Sequence, residues 1–250
     1  MWPHRKRVGW PDVQEDRQLM IGAMGRRCAW PIVVLLMGAA VTGCTGGAAA
    51  PTATPGAIRP QALPAGTYRS QAFEPRVEFT LPAGWWIASD AADYLALQPV
   101  DNDQVGIYLF RDPEAASQDL DCPLEPEPDV GTLSSELSGW MRALPGLVTS
   151  NPRLATVGGL RGTELDLRIA DGWQASCPFA GGLPTVPLFV GQDGGLRWVL
   201  AGSERLRLSL LDAPGGATVV VDIDAFDGSL MDGLLNSANP IVGSFAFASP

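Results

Sequence analysis

The sequence predicts an α+β domain: a largely antiparallel sheet of about six to nine strands with two packed helices. Three observations point there. Short segments alternate apolar and polar residues, the period of a half-buried strand. Turn residues punctuate them, as in Pro82-Ala83-Gly84, Asp101-Asn102-Asp103 and Asp212-Ala213-Pro214-Gly215-Gly216. Two stretches, around 133–144 and 229–238, carry apolar residues at helical spacing. Strands therefore mostly follow strands through tight turns, the connection an antiparallel sheet allows.

The chain begins with a segment set apart from this pattern. Residues 1–23 are long for the start of an export signal and include Asp12, Glu15 and Asp16. From Met24 onward, Arg26 and Arg27 precede an apolar run over 28–42, so translation is expected to start at Met20 or Met24. The run falls short of the roughly 20 apolar residues that cross a bilayer. It closes on Val41-Thr42-Gly43-Cys44: a branched apolar residue, a small residue, glycine and cysteine. This quartet resembles the lipobox of bacterial lipoproteins. The resemblance implies that 1–43 is a removed signal peptide and that Cys44 is lipidated by acyl chains such as palmitate. It also implies that the mature protein is anchored to the cell membrane on its extracytoplasmic face, since two acyl chains make anchoring stable. The competing reading is a plain anchor helix followed by an ordinary cysteine. Residues 44–65 are small, Pro-rich and almost uncharged, a flexible tether. Residues 66–250 are left for one globular domain.

Within that domain, Val77, Phe79 and Leu81 alternate with polar neighbours over Arg76–Leu81, and Trp85-Trp86-Ile87 opens the next extended piece. Tyr94–Val100 and Gln104–Arg111 flank Asp101-Asn102-Asp103 as a hairpin. Residues 112–131 are irregular and acidic. Thr132 to Glu136 suit a helix start, and Leu133, Leu137, Trp140, Met141 and Leu144 form its apolar stripe up to Pro145-Gly146. Strands are expected at Thr163–Ala170, 186–190, Leu196–Ala201, Arg205–Asp212 and Thr218–Ala225. A second helix is expected over Ser229–Ala238, then a last strand over Ile241–Phe247.

Four stretches carry a further likeness: Thr80-Leu81-Pro82-Ala83-Gly84-Trp85, Trp140 to Leu147, Val157-Gly158-Gly159-Leu160, and Ala238 to Phe247. Together, over about 66–248, they resemble lipoproteins of high-GC bacteria, some of which are similar to the PsbP-like α/β sandwich. The resemblance implies that fold and an exported, non-catalytic protein, and it brings no catalytic residues.

Composition narrows the chemistry. Of the chain's 17 basic and 27 acidic residues, six and three lie before Cys44, which leaves 11 and 24 and a balance of −13. Such a surface repels phosphate backbones, so no nucleic acid is expected as a partner. The only histidine, His4, and the only lysine, Lys6, also precede Cys44. Mature protein therefore lacks Ser-His-Asp and Cys-His nucleophile systems, lysine Schiff bases and His-ligated zinc.

Cys122 and Cys177 are the cysteines left after Cys28 is removed and Cys44 is acylated. In an oxidising compartment they are expected to form a disulfide, with two free thiols as the alternative. Asp101 and Asp103 lack the further oxygen ligands of a calcium loop and read as a turn. Glycine pairs at 181, 194 and 215 lack the helix that a phosphate cradle needs. No metal or cofactor is expected. Asp222 with Asp224, and Glu164 with Asp166, share strand faces. Facing each other they would make an acid/base couple; more simply they are charges on the solvent side of a sheet. Trp85, Trp86 and Trp173 are candidates for a binding surface. The expected function is a non-enzymatic binding or assembly module of the cell envelope, holding a protein partner. The alternatives are a carrier of a small apolar ligand between sheet and helices and, more remotely, a carboxylate-based hydrolase.

Overall fold

Strand pairing dominates the architecture. In the computed structural model, which describes residues 61–192 and 197–248, an eight-stranded antiparallel sheet carries a covering layer on each face. The chain enters through β1 (Gly66–Arg69) and β2 (Val77–Leu81), an antiparallel pair. Gly84, at φ 91°, makes the turn into β3 (Trp85–Asp90). Then β4 (Tyr94–Pro99) and β5 (Val105–Arg111) form the expected hairpin, in whose turn Asn102 Oδ1 accepts the Gln104 N–H at 3.0 Å.

A short β6 (Glu114–Ala115) opens the acidic segment, which leads to α1 (Ser134–Ala143). Glu136 caps α1 by accepting the Leu133 N–H at 3.2 Å. Beyond it, β7 (Leu147–Thr149) and β8 (Arg153–Val157) lie end to end along one edge of β9 (Leu160–Ile169). Pro152 and a one-residue shift in register separate them. The rest of the chain gives β10 (Thr185–Val190), β11 (Arg197–Ala201), β12 (Arg205–Asp212), β13 (Thr218–Ala225), α2 (Met231–Gly243) and β14 (Ala246–Phe247).

The main sheet runs β3-β4-β5-β13-β12-β9, ending on the β7–β8 edge. Ile107, Leu109, Val221 and Ile223 look to one face, under the β1-β2-β14 sheet and the Met231, Leu234, Ala238 and Ile241 stripe of α2. Phe110, Leu208, Leu210 and Val220 look to the other, under the β6-β10-β11 sheet and α1. The fold class is thus α+β, largely antiparallel, with two helices. The expected single sheet is three, because residues flanking the main strands fold back over both of its faces.

One boundary is corrected. Ile241–Gly243 are not strand but the last turn of α2, and β14 is confined to Ala246–Phe247. Pro240 looks like a stop, yet Ile241 completes the buried stripe of the helix, and its burial outweighs proline's unfavourable position.

Phe110 is fully buried between the Phe189 and Trp198 rings, with centroids at 5.7 and 4.9 Å. Phe110→Ala should lower unfolding free energy by about 3–5 kcal/mol in denaturant titration. Leu154→Ala, at a side chain 97% exposed, should change it by less than about 0.5 kcal/mol.

Candidate functional site

Two loops distant in sequence meet at a groove on the β10 side of the molecule. One is the acidic segment 112–131; the other, 171–184, joins β9 to β10. A disulfide between Cys122 and Cys177, with Cα atoms 5.6 Å apart, ties one to the other. The groove holds about 310 Å³ and is walled by Leu120, Leu144, Pro145, Trp173 and the disulfide itself.

Each wall has its own support. The Asp112 N–H donates to Thr218 O, and Asp112 Oδ1 accepts the Thr218 N–H, both at 2.7 Å, fixing the loop to β13. Inside the loop the Ser117 N–H donates to Glu125 O at 2.9 Å and the Glu127 N–H to Ala115 O at 2.7 Å. Gln118 donates its N–H to Glu127 Oε2 and its side-chain amide to Pro187 O, each at 2.9 Å. Among the described residues, the non-glycine positions with φ in the left-handed region are Asp112, Cys122 and Asp129, all in this loop. Each is disfavoured by about 1–2 kcal/mol, less for aspartate, so the surrounding bonds and the disulfide must hold them.

Trp173 forms the opposite wall, its Nε1–H donating to Thr185 O at 2.9 Å. The indole lies against Gly146; a Cβ there would sit 2.7 Å from the ring and 2.6 Å from Val186. The aromatic face is therefore preset rather than free to collapse.

The groove gathers part of the expected site. Trp173 and the Cys122–Cys177 pair line it. Trp86 is half-buried and is not among its walls. Trp85 is 5% exposed and belongs to the core, so it presents no binding surface; on β3 it points inward beneath the first covering sheet. Cys44, the 1–43 segment and the tether up to residue 60 lie outside the described residues.

The acidic pairs are corrected more sharply. Asp222 and Asp224 do share a face, but it is the buried one. Glu164 and Asp166 point from the opposite face, on the β9 part of it that the covering layer leaves partly open, so the two pairs never confront each other. There Arg207 Nε donates to Asp166 at 2.7 Å and Arg153 to Glu164 at 2.6 Å, partly exposed ion pairs of modest energetic weight.

Asp222 and Asp224 instead lie with Glu204 beneath Tyr94, Tyr108 and Trp198. Gln98 donates to the Tyr108 hydroxyl at 2.7 Å, and the Tyr108 and Trp198 rings stand 4.7 Å apart. Burial pushes Asp222 well above the usual carboxylate range, the Asp224 charge adds to this, and the Trp198 indole N–H draws it part of the way back. Burial also raises Glu204, again with Asp224 adding, although Glu204 Oε2 accepts the Ala201 N–H at 2.6 Å. Asp224 is pushed up to about 7 by burial, moderated by its hydrogen bond with Glu204. Glu204 Oε1 and Asp224 Oδ1 meet no N–H or hydroxyl donor; a proton held between the two carboxyls satisfies both. Among the described residues no cluster of three or more His, Cys, Asp or Glu side chains is arranged to hold a metal ion. Sealed under aromatic rings, these carboxyls have no route to a substrate.

Sequence reasoning missed Leu120, Leu144 and Pro145 as walls, and Glu204 as a buried acid. Leu120 had a signal: a large apolar residue between Asp119 and Asp121, two positions before a cysteine expected in a disulfide. Glu204 had none, since its burial depends on how the β11–β12 turn docks.

No protein-family profile and no curated protein sequence matches the chain. Among solved structures, cyanobacterial PsbP (CyanoP) of Synechocystis superimposes with a TM-score of 0.39 at 13% identity, covering 80% of this chain and all of that one. LpqN of Mycobacterium tuberculosis, described as involved in cell envelope biogenesis, gives 0.35 at 14% identity over 76% of this chain and 90% of its own. A protein of Bacteroides thetaiotaomicron gives 0.32 at 10% identity over 69% of this chain, which spans 45% of its length. At these scores the likenesses carry no functional argument.

Two outcomes follow from this geometry. Replacing Cys122 and Cys177 by serine should lower stability by about 4 kcal/mol in denaturant titration, in keeping with the 55-residue separation bridged. The buried acids set a pH dependence. Their carboxyls titrate near 4 in an unfolded chain, whereas the folded values are raised, to about 7 for Asp224. Between those limits the folded protein binds more protons, so this contribution to stability is full below about pH 4 and is lost as pH rises through about 7. The melting temperature should fall from about pH 5 to about pH 7.5, and Asp224→Asn should flatten that fall; a rise over the same interval contradicts the assignment.

Proposed function

We propose that this chain is a lipid-anchored, extracytoplasmic and non-enzymatic module that holds a protein partner in the groove beside Cys122–Cys177. The observation that carries the reading is the groove: an apolar hollow with a fixed indole wall, its two sides joined by a covalent bridge. Preset apolar concavities on an otherwise polar surface are where partners dock. Leu120, 75% exposed at its rim, has no reason in the fold to be apolar. The disulfide suits an oxidising compartment, and the quartet ending in Cys44 suits export with acylation. A tether of about 20 residues has a root-mean-square span of about 25 Å, enough to carry the groove away from the headgroups.

The carrier reading has less support, because both faces of the main sheet are filled by aromatic and aliphatic side chains. The hydrolase reading loses its acid/base couple, whose members lie on opposite faces of the sheet.

Two measurements in the native cells test the anchor and the groove separately. Cys44→Ser should move the protein from the membrane to the soluble fraction, and retention in the membrane contradicts the anchor. A photocrosslinking side chain at position 120 should capture a defined protein that the same group at exposed position 154 does not. Identical captures from both positions, or lipid alone from position 120, contradict the partner reading.

A further inference from the structure

We propose that the partner segment is an extended polypeptide carrying a bulky apolar side chain followed closely by Lys or Arg, the apolar group seated against Trp173 and the cation between Asp119, Glu125 and Glu127. This rests on the groove being the partner site and adds the chemistry of what fills it.

A second hollow, of about 320 Å³, adjoins the groove and shares Gln118 and Asp119 with it. Its character is different. Asp119, Glu125 and Glu127 line it together with Pro126 and Pro128. Among the described residues none of these three carboxylates forms an ion pair. Glu127 spends one oxygen on the Gln118 N–H; Glu125 and Asp119 are exposed. The parent segment 112–131 holds seven acidic residues and no Lys or Arg. Concentrating one sign of charge in a concave surface focuses the potential there and selects a cation.

The loop keeps this charge in place against its own repulsion. Pro126 and Pro128 restrict the backbone between the acids. The isolated bridge between Ala116 and Pro126, and the Ser117 and Glu127 N–H bonds across the loop, hold Glu125 and Glu127 beside the apolar groove. An apolar hollow and an acidic hollow that share a wall form a two-part reader. An extended segment sets alternate side chains on one side about 6.6 Å apart, so positions i and i+2 reach adjoining hollows. The same negative field disfavours an anionic lipid surface and a second copy of this acidic chain.

The test uses the full-length protein in detergent, with peptides selected from a displayed library of random 12-residue segments. Enriched peptides should carry Trp, Phe or Leu with Lys or Arg two positions later. Leu120→Asp should weaken their binding at least about tenfold, as loss of an apolar anchor does. Asp119→Lys with Glu125→Lys should weaken it by about tenfold and remove the loss of affinity between about 50 and about 300 mM NaCl. All three positions are exposed, so unchanged thermal melting certifies the fold. Enriched peptides that lack basic residues, depend on Leu120 and ignore the charge reversals overturn this inference and leave the groove standing. Peptides indifferent to Leu120→Asp, or no enrichment over that variant, overturn both.

Discussion

Strand β13 is buried along its whole length, on both faces, and the remainder of the architecture answers that constraint. Val219, Val221 and Ile223 need one cover; Val220, Asp222 and Asp224 need another. A sheet with two dry faces cannot be satisfied by two helices alone, so the chain supplies a small sheet and a helix to each side. The second cover brings Trp198 down onto two aspartates, beside Tyr108 of the neighbouring strand β5. Burial there disfavours the charged carboxylate, so these acids hold their protons to higher pH than usual, and Glu204 and Asp224 share one.

The covers also explain where a binding surface can arise. The interior faces close on aromatic and aliphatic side chains, and the apolar groove lies at the seam where covering loops meet. That seam is the junction of 112–131 with 171–184. There a covalent bridge ties one loop to the other and, with the hydrogen bonds within the first loop, holds Cys122 in the left-handed region. Trp173, braced by Thr185 and by the missing side chain of Gly146, completes a surface whose shape exists before any partner arrives.

Much of this was legible in the residues, for reasons that can be named. Alternation placed β2 within a residue, because a period-2 pattern survives where a strand is half-buried, and β5, β12 and β13 were bounded by the turn residues beside them. The helix at Ser134–Ala143 announced itself by Leu137 and Met141 at i, i+4 and by Glu136 in its first turn. The bridge followed from counting cysteines. Failures came where tertiary burial decided the outcome. Asp222 and Asp224 argued for a solvent-facing side of the strand at Thr218–Ala225, and only the arrival of β11 from elsewhere in the chain buries it. The helix expected to end at Ala238 runs on through Pro240 because Ile241 belongs to the core. Trp85 and Trp86 were equivalent by composition; which of them faces inward depends on the turn at Gly84.

The groove exists because Cys122–Cys177 holds an acidic loop as a wall, and amide hydrogen exchange in oxidised and reduced protein tests that claim most directly. The Gln118 and Glu127 amides, both hydrogen-bonded within the loop, should exchange at least about tenfold faster once the bridge is reduced, while the β13 amides keep their protection. Equal exchange of those loop amides in the two states would contradict the account.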